Sequence, residues 1–213
     1  RRANDSLYGG AGDDTLVGGF GEDYLKSQKG DDVLKARNGD DSVHGGSGDD
    51  TLRGGYGDDS LTGGPGVDRL VGQDGEDLLR GRGGGDGLLG GAGADVLRGG
   101  VGDDSMVGGA GPDRLRGDQG DDTLHGGSGD DTLKGCRGAD EFWLSGGKDW
   151  ILDYKAEEGD AIRVDGFEGE GLTIEQRGRD VWLRGGELEQ TTVVLGVSVE
   201  EIMNAQPELR VLI

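Results

Sequence analysis

Gly45-Gly46-Ser47-Gly48-Asp49-Asp50-Thr51-Leu52-Arg53 is followed at once by Gly54-Gly55-Tyr56-Gly57-Asp58-Asp59-Ser60-Leu61-Thr62, and the two stretches share one pattern. Read outward from this pair, a nine-residue register continues in both directions. Its sixth column is aspartate at Asp5, Asp14, Asp23, Asp32, Asp41, Asp50, Asp59, Asp68, Asp77, Asp86, Asp95, Asp104, Asp113, Asp122, Asp131, Asp140 and Asp149, without a slip. The fourth column is glycine from Gly12 to Gly147, and the eighth is apolar from Leu7 and Leu16 to Phe142 and Ile151. Three invariant columns at a short fixed period mark a stacked repeat rather than low complexity.

Without that register the composition would be read as disorder. The 213 residues hold 50 glycines, and 44 acids face 22 Lys and Arg, for a formal charge of −22. With 31% apolar residues, an ordinary core cannot offset the cost of ordering the backbone. The same numbers exclude other classes. No apolar run is long enough to form a transmembrane segment, and the negative charge argues against nucleic acid as a partner. A single Cys136 cannot build an internal disulfide framework. The glycines do not recur at every third position, so collagen is excluded.

Each column has a physical reading. Columns one to six are turn chemistry, where glycine permits positive φ and close backbone approach. The first two columns accept Ser27, Gln28, Ala36, Arg37, Gln73, Arg82, Asp118 and Cys136, whereas the fourth accepts nothing but glycine. The expectation is that column four holds the positive-φ residue and that the first two columns are merely crowded. Columns seven to nine alternate as a minimal strand with its middle residue inward. Two units then make one coil of 18 residues, and stacked coils form two parallel sheets about 4.8 Å per step, packed on the column-eight residues. The predicted fold is all-β, a two-sheet β-solenoid.

Stacking also aligns the turns, with Asp14 near Asp32 near Asp50, and like charges at that separation repel. A hard cation between adjacent turns reverses the sign. Carboxylate and carbonyl oxygens suit Ca²⁺, zinc lacks His or Cys ligands here, and Mg²⁺ retains its waters. Every column-six aspartate is therefore a candidate calcium ligand.

The pattern G-G-x-G-x-D-x-U-x, with U apolar, resembles the RTX (repeats-in-toxin) hemolysin-type calcium-binding nonapeptide-repeat family across residues 4–152. That resemblance implies a right-handed parallel β-roll with a small, mainly-β C-terminal cap. It also implies that each Ca²⁺ lies between one turn and the turn 18 residues later. The first turn would give carbonyls from columns two and four with its aspartate, and the second would give carbonyls from columns one and three with its own. Carried over, one site uses Gly10, Gly12 and Asp14 with Ser27, Lys29 and Asp32. The next uses Gly19, Gly21 and Asp23 with Ala36, Asn38 and Asp41. Continued along the roll, the implied glycine carbonyls are those of Gly30, Gly39, Gly45, Gly46, Gly48, Gly54, Gly55, Gly57, Gly63, Gly64, Gly66, Gly72, Gly75, Gly81, Gly84, Gly90, Gly91 and Gly93. They continue through Gly99, Gly100, Gly102, Gly108, Gly109, Gly111, Gly117, Gly120, Gly126, Gly127, Gly129 and Gly135. The pairings correspond to about 13–15 calcium ions. The resemblance further implies calcium-induced folding and a monomeric C-terminal module of a type I secreted protein. Its partners would include the type I secretion machinery, and its location would be extracellular or at the cell surface.

Composition changes after the repeats, so residues 1–152 are read as the roll and 153–213 as a capping and secretion segment. Phe142-Trp143, residues 149–154 and residues 159–164 resemble the segment that closes RTX rolls in secreted proteases and lipases. Strands are predicted near 172–176, 181–184 and 191–195. Ser198-Val199-Glu200-Glu201 reads as a capping box opening a short helix that ends before Pro207. Trp143 and Trp150 are expected to cover the last coil, because an open solenoid end exposes core and sheet edge. Residues 208–213, an acid followed by mostly apolar residues, loosely resemble the family's uncleaved secretion signal. The chain opens inside a repeat at Asn4-Asp5, so further chain is expected upstream.

Nothing in the pattern reads as catalytic, and the chain is expected not to be an enzyme. No HExxH, G-x-S-x-G or CxxC occurs. His44 and His125 fall in column nine, the outward side of a strand, with no nucleophile beside them in the pattern. Paired carboxylates such as Asp13-Asp14 recur at nearly every turn and read as ligand and rim. A non-catalytic binding role is the alternative. In alternate units column nine reads Lys26, His44, Thr62, Arg80, Arg98, Arg116 and Lys134, a row that could dock an anionic polysaccharide, as RTX modules of alginate epimerases are thought to do. The simpler account is that these cations balance the carboxylates.

Overall fold

A unit that turns one apolar side chain inward cannot bury it alone, so neighbouring units must stack. The computed structural model describes residues 3–164, 173–177, 180–184, 191–194, 202 and 204, and the stacking is seen throughout the repeats. Six-residue strands recur every nine residues. They are β1 (Ser6–Ala11), β2 (Thr15–Phe20), β3 (Tyr24–Lys29), β4 (Val33–Asn38), β5 (Ser42–Ser47), β6 (Thr51–Tyr56), β7 (Ser60–Pro65) and β8 (Arg69–Asp74). The series continues as β9 (Leu78–Gly83), β10 (Gly87–Ala92), β11 (Val96–Val101), β12 (Ser105–Ala110), β13 (Arg114–Gln119), β14 (Thr123–Ser128) and β15 (Thr132–Arg137). After them come β16 (Glu141–Leu144), β17 (Lys148–Ile151), a 3₁₀ turn at Ala156–Glu158, β18 (Ala161–Val164), β19 (Thr173–Arg177), β20 (Asp180–Arg184) and β21 (Thr191–Val194).

Odd strands β1 to β17 form one parallel sheet, and even strands β2 to β18 form the other. Registers keep the 18-residue coil, as in Leu25↔Val43 and Leu34↔Leu52. The predicted two-sheet β-solenoid is therefore the observed one. Between the sheets lie the column-eight side chains from Leu25 to Ile151, each at most 2% exposed. At the C-terminal end the odd sheet changes character: β21 pairs parallel to β17, then β20 and β19 continue antiparallel. These strands fall where the pattern predicted them; positions 172 and 195 lie outside the described residues. Ile202 and Asn204 are helical, while the rest of the expected helix and residues 208–213 lie outside the described residues.

Three expectations are corrected. First, columns one to three are strand, not turn. Columns two and three stay in ladder register (Gly10↔Gln28, Ala11↔Lys29), which confines the turn to columns four to six. Second, positive φ is not confined to column four. Column two takes it as well, including at Gln28 (φ 101), Arg37 (φ 93) and Cys136 (φ 86). Where column two carries a side chain, φ is smaller than at the column-two glycines. Gln28 and Arg37 are exposed, and their φ lies nearer the left-handed basin that L-residues can enter. At the glycines of either column an ideal Cβ would meet a carbonyl of the previous coil, that of Gly21 at Gly39 and that of Gln28 at Gly46. Third, Trp143 and Trp150 do not cover the last coil. Both lie on outer sheet faces, where Trp143 stacks on His125 (6.5 Å) and Trp150 lies under Lys148 Nζ (4.7 Å). Columns seven and nine point away from the core, and Phe142, Ile151, Tyr154 and Ile162 fill the interior there.

Candidate metal sites at the turns

From Asp23 to Asp149 every column-six aspartate is at most 3% exposed. One carboxylate oxygen is accounted for, because Oδ1 accepts the backbone N–H of the aspartate 18 residues earlier. Asp41 donates to Asp59, Asp59 to Asp77 and Asp77 to Asp95, each at 2.8 Å. The other oxygen is not. From Asp14 to Asp131, Oδ2 is buried with no hydrogen-bond partner among the described residues. An ionised carboxylate accepts only, so these atoms call for a cation or a proton.

The gap between turns 72–77 and 90–95 shows what surrounds such an oxygen. A Cβ on Gly72 would lie 2.7 Å from the Gly90 carbonyl oxygen and closer still to Asp77 Oδ2. The missing side chain therefore leaves a cradle flanked by two acceptors. The Gln73 and Gly75 carbonyls point forward at Gly91 and Gly93. The Ala92 carbonyl points back and accepts the Gly75 N–H at 2.9 Å. Asp95 Oδ1 accepts the Asp77 N–H. Carbonyls of columns two and four from one turn, and of columns one and three from the next, thus line one gap with both aspartates. This donor set is all oxygen, as a hard cation such as Ca²⁺ requires. Among the described residues no three His, Cys, Asp or Glu side chains come together as a metal cluster. Backbone oxygens would supply most of the ligands here.

The electrostatics agree with that chemistry. Burial, above all, pushes the Asp59 carboxyl up to about 8, helped by the charges of Asp77 and Asp41, while the Asp41 N–H works the other way. Asp113, Asp122 and Asp149 are pushed up to about 7, and Asp50, Asp77 and Asp104 to about 6, again chiefly by burial. Like-charge repulsion, the penalty foreseen from the sequence, is real but secondary to desolvation.

The family model of the RTX calcium-binding nonapeptide repeat matches at residues 2–25, 23–52, 44–79, 53–88, 80–115 and 116–151, well over half of the chain. The chain belongs to this family. Its RTX repeats bind calcium. No curated protein matches the chain. Among solved structures it is similar to the extracellular lipase LipA from Serratia marcescens, at 21% identity and a TM-score of 0.38. The match covers 81% of this chain and 43% of the lipase chain. Among the described residues no helix is long and apolar enough to cross a membrane.

The RTX turns contain a second carboxylate ladder that the sequence showed only as a rim. Column-five aspartates accept from the following coil, the reverse of column six. Asp13 Oδ1 takes the Asp31 N–H (3.0 Å), and Asp31 Oδ1 takes that of Asp49 (2.8 Å). Where an Asp-Asp pair stands, as at Asp31-Asp32 and Asp49-Asp50, it ties its turn to both neighbours. Two further acids were missed. Asp160 accepts the Asp140 N–H at 3.0 Å, continuing the column-six ladder at a spacing of 20. Its Oδ2 is satisfied by the Lys155 N–H at 2.7 Å. Asp153 takes the N–H groups of Gly135 and Cys136. The signal for Asp160 was Gly159-Asp160-Ala161-Ile162-Arg163, a repeat ending displaced from the grid.

The histidines also need correction. His44 Nε2 lies 3.3 Å from Ser42 Oγ, so a hydroxyl does stand beside it. The pair is i and i+2 on the outer face of β5. Burial, Lys26 and Arg82 hold the imidazole below its ordinary range.

Proposed function

We propose that this chain is a calcium-gated folding module of a larger secreted protein, exported unfolded by a type I machinery and assembled outside the cell. The observation that carries the reading is the pair of rows of buried column-six carboxylates, in which Oδ2 from Asp14 to Asp131 finds no hydrogen-bond partner among the described residues. Calcium, when bound, would supply the positive charge that lets these aspartates remain ionised inside the turns. The residues proposed to hold it in one gap are Gln73, Gly75 and Asp77 with Gly90, Ala92 and Asp95. The same columns act in every other gap, beginning with Gly10, Gly12 and Asp14 against Ser27, Lys29 and Asp32. Glycine in column one keeps the cradle open wherever it stands, whereas at Ser27 the hydroxyl donates to the Gly45 carbonyl; the Oδ1 ladder fixes the orientation of each carboxylate before the ion arrives. Residues 1–152 would be the roll, and 153–213 would close its C-terminal end. In low calcium the buried carboxylates oppose folding; in millimolar calcium they favour it. Far-UV circular dichroism in EGTA and in millimolar Ca²⁺ tests this. The expected result is a disordered spectrum turning β-rich, and identical β-rich spectra would overturn it.

A second reading rests on one observation. The ladder of β9, β11, β13 and β15 sets Arg80, Arg98, Arg116 and Lys134 in a single line. An anionic polysaccharide would fit that row. Retention on an alginate column should then be salt-sensitive and weakened by Arg98→Glu with Arg116→Glu; equal retention rejects it.

A further inference from the structure

On the other sheet a different row stands out. The register of β2, β4 and β6 places Phe20, Asn38 and Tyr56, all in column three, in one line. Phe20 is 57% and Tyr56 63% exposed, and among the described residues the other exposed large apolar side chains, Tyr8, Val67, Leu89, Val101 and Leu152, lie outside this line. With Asn4, Glu22 and Asp40 they line a groove of about 490 Å³, and Gly21, Gly39 and Gly57 leave the ground between them bare of side chains. Two strand steps separate the aromatic residues, about 9.6 Å. Several acceptors remain available there. Asp40 Oδ1 is taken by the Asp58 N–H (2.9 Å), and Asn4 Oδ1 by the Glu22 N–H (3.0 Å). No hydrogen bond or ion pair among the described residues engages the Asn38 amide or the Glu22 carboxylate.

We propose that this groove binds a neutral, linear β-1,4-linked hexopyranose chain laid along the roll axis. Such a polymer advances by about one coil step per sugar, so alternate sugars would stack on Phe20 and Tyr56 while the one between them meets Asn38. Aromatic faces accept flat, weakly polar rings, and the sugar hydroxyls would donate to Glu22, Asp40 and Asn38. An anionic polymer would be repelled by those carboxylates. An apolar peptide would bury them without partners, which is costly.

The groove exists only in the folded roll, so the proposal rests on the calcium reading. Isothermal titration of the calcium-loaded full chain with cellohexaose, and with hexagalacturonate as the charged control, tests it, with circular dichroism on the same samples. Cellohexaose should bind and hexagalacturonate should not. Phe20→Ala or Tyr56→Ala should each weaken binding about tenfold, the size of one aromatic stacking contact. Tyr56→Phe should bind as the parent does, and the Phe20→Ala/Tyr56→Ala pair should not bind detectably. A folded chain that ignores cellohexaose, or a folded double variant that binds it unchanged, overturns the proposal. A chain that stays unfolded in calcium overturns the calcium reading, and this proposal with it.

Discussion

Asp59→Asn separates the two roles of a column-six carboxylate. Asparagine keeps an Oδ1 to accept the Asp41 N–H at 2.8 Å and leaves the Asp59 N–H free to donate to Asp77. What it removes is the charge on Oδ2, which is buried and unpartnered. Asp59 borders two gaps, toward Asp41 and toward Asp77, so one substitution weakens two calcium sites. At about 10 mM Ca²⁺, sites with affinities of about 10⁻⁴–10⁻³ M each contribute about 1.4–2.7 kcal/mol. Losing both costs about 3–5 kcal/mol on those figures. Against this, removing a buried unsatisfied acceptor returns about 1–3 kcal/mol. The net expectation in calcium is a loss of about 2 kcal/mol, read as a lower urea midpoint at unchanged slope. The calcium titration followed by circular dichroism should shift its midpoint upward. Asp58→Asn is the control, since Asp58 lies exposed in the column-five ladder, where its Oδ1 accepts the Glu76 N–H. Equal shifts for the two variants, or none for Asp59→Asn, would refute the reasoning.

Other outcomes follow from the same geometry. In EGTA the roll should gain β structure as pH falls. Folded aspartates such as Asp77 and Asp59 are pushed up to about 6 and about 8 from an ordinary 3.8, so the folded chain binds more protons. Calcium-free stability should therefore be greatest below about pH 4 and be lost as pH rises through about 6–8. Circular dichroism in EGTA across that range checks the sign, and a β signal that grows with pH contradicts it. Gly39→Ala should disrupt its coil, because the new methyl falls on the Gly21 carbonyl. Gln28→Gly should be neutral or stabilising, since glycine accepts φ 101 without strain; thermal melts in calcium compare them. Leu79→Ala, at 0% exposure, should cost about 2–5 kcal/mol. Leu89→Ala on the outer face, at 36%, should change urea stability by less than about 0.5 kcal/mol.

Much of the fold was legible because a stacked repeat turns sequence period into spatial period. Leu25 and Val43 pair since they are one coil apart, and the same arithmetic lined up Arg80, Arg98 and Arg116. Legibility failed where the period fails. Asp160 joins the aspartate ladder at a spacing of 20, and Trp143 faces outward although a cap was expected of it. It also failed where two positions share a residue preference for different reasons. Glycine in column one makes room for a carboxylate, and in column four it avoids the carbonyl below. Column two takes positive φ whichever residue stands there.

The order of columns by itself determined the coil length, the two sheets, the inward leucines and the alignment of aspartates into rows, because each depends only on residue spacing. The fate of each carboxylate oxygen depended on the tertiary structure. Oδ1 is held by an N–H from the preceding coil, while Oδ2 is left buried beside a backward-pointing carbonyl. No count along the chain distinguishes the two atoms of one aspartate. That distinction arises only when coils close to hydrogen-bonding distance, and it makes a row of acids a row of buried acceptors.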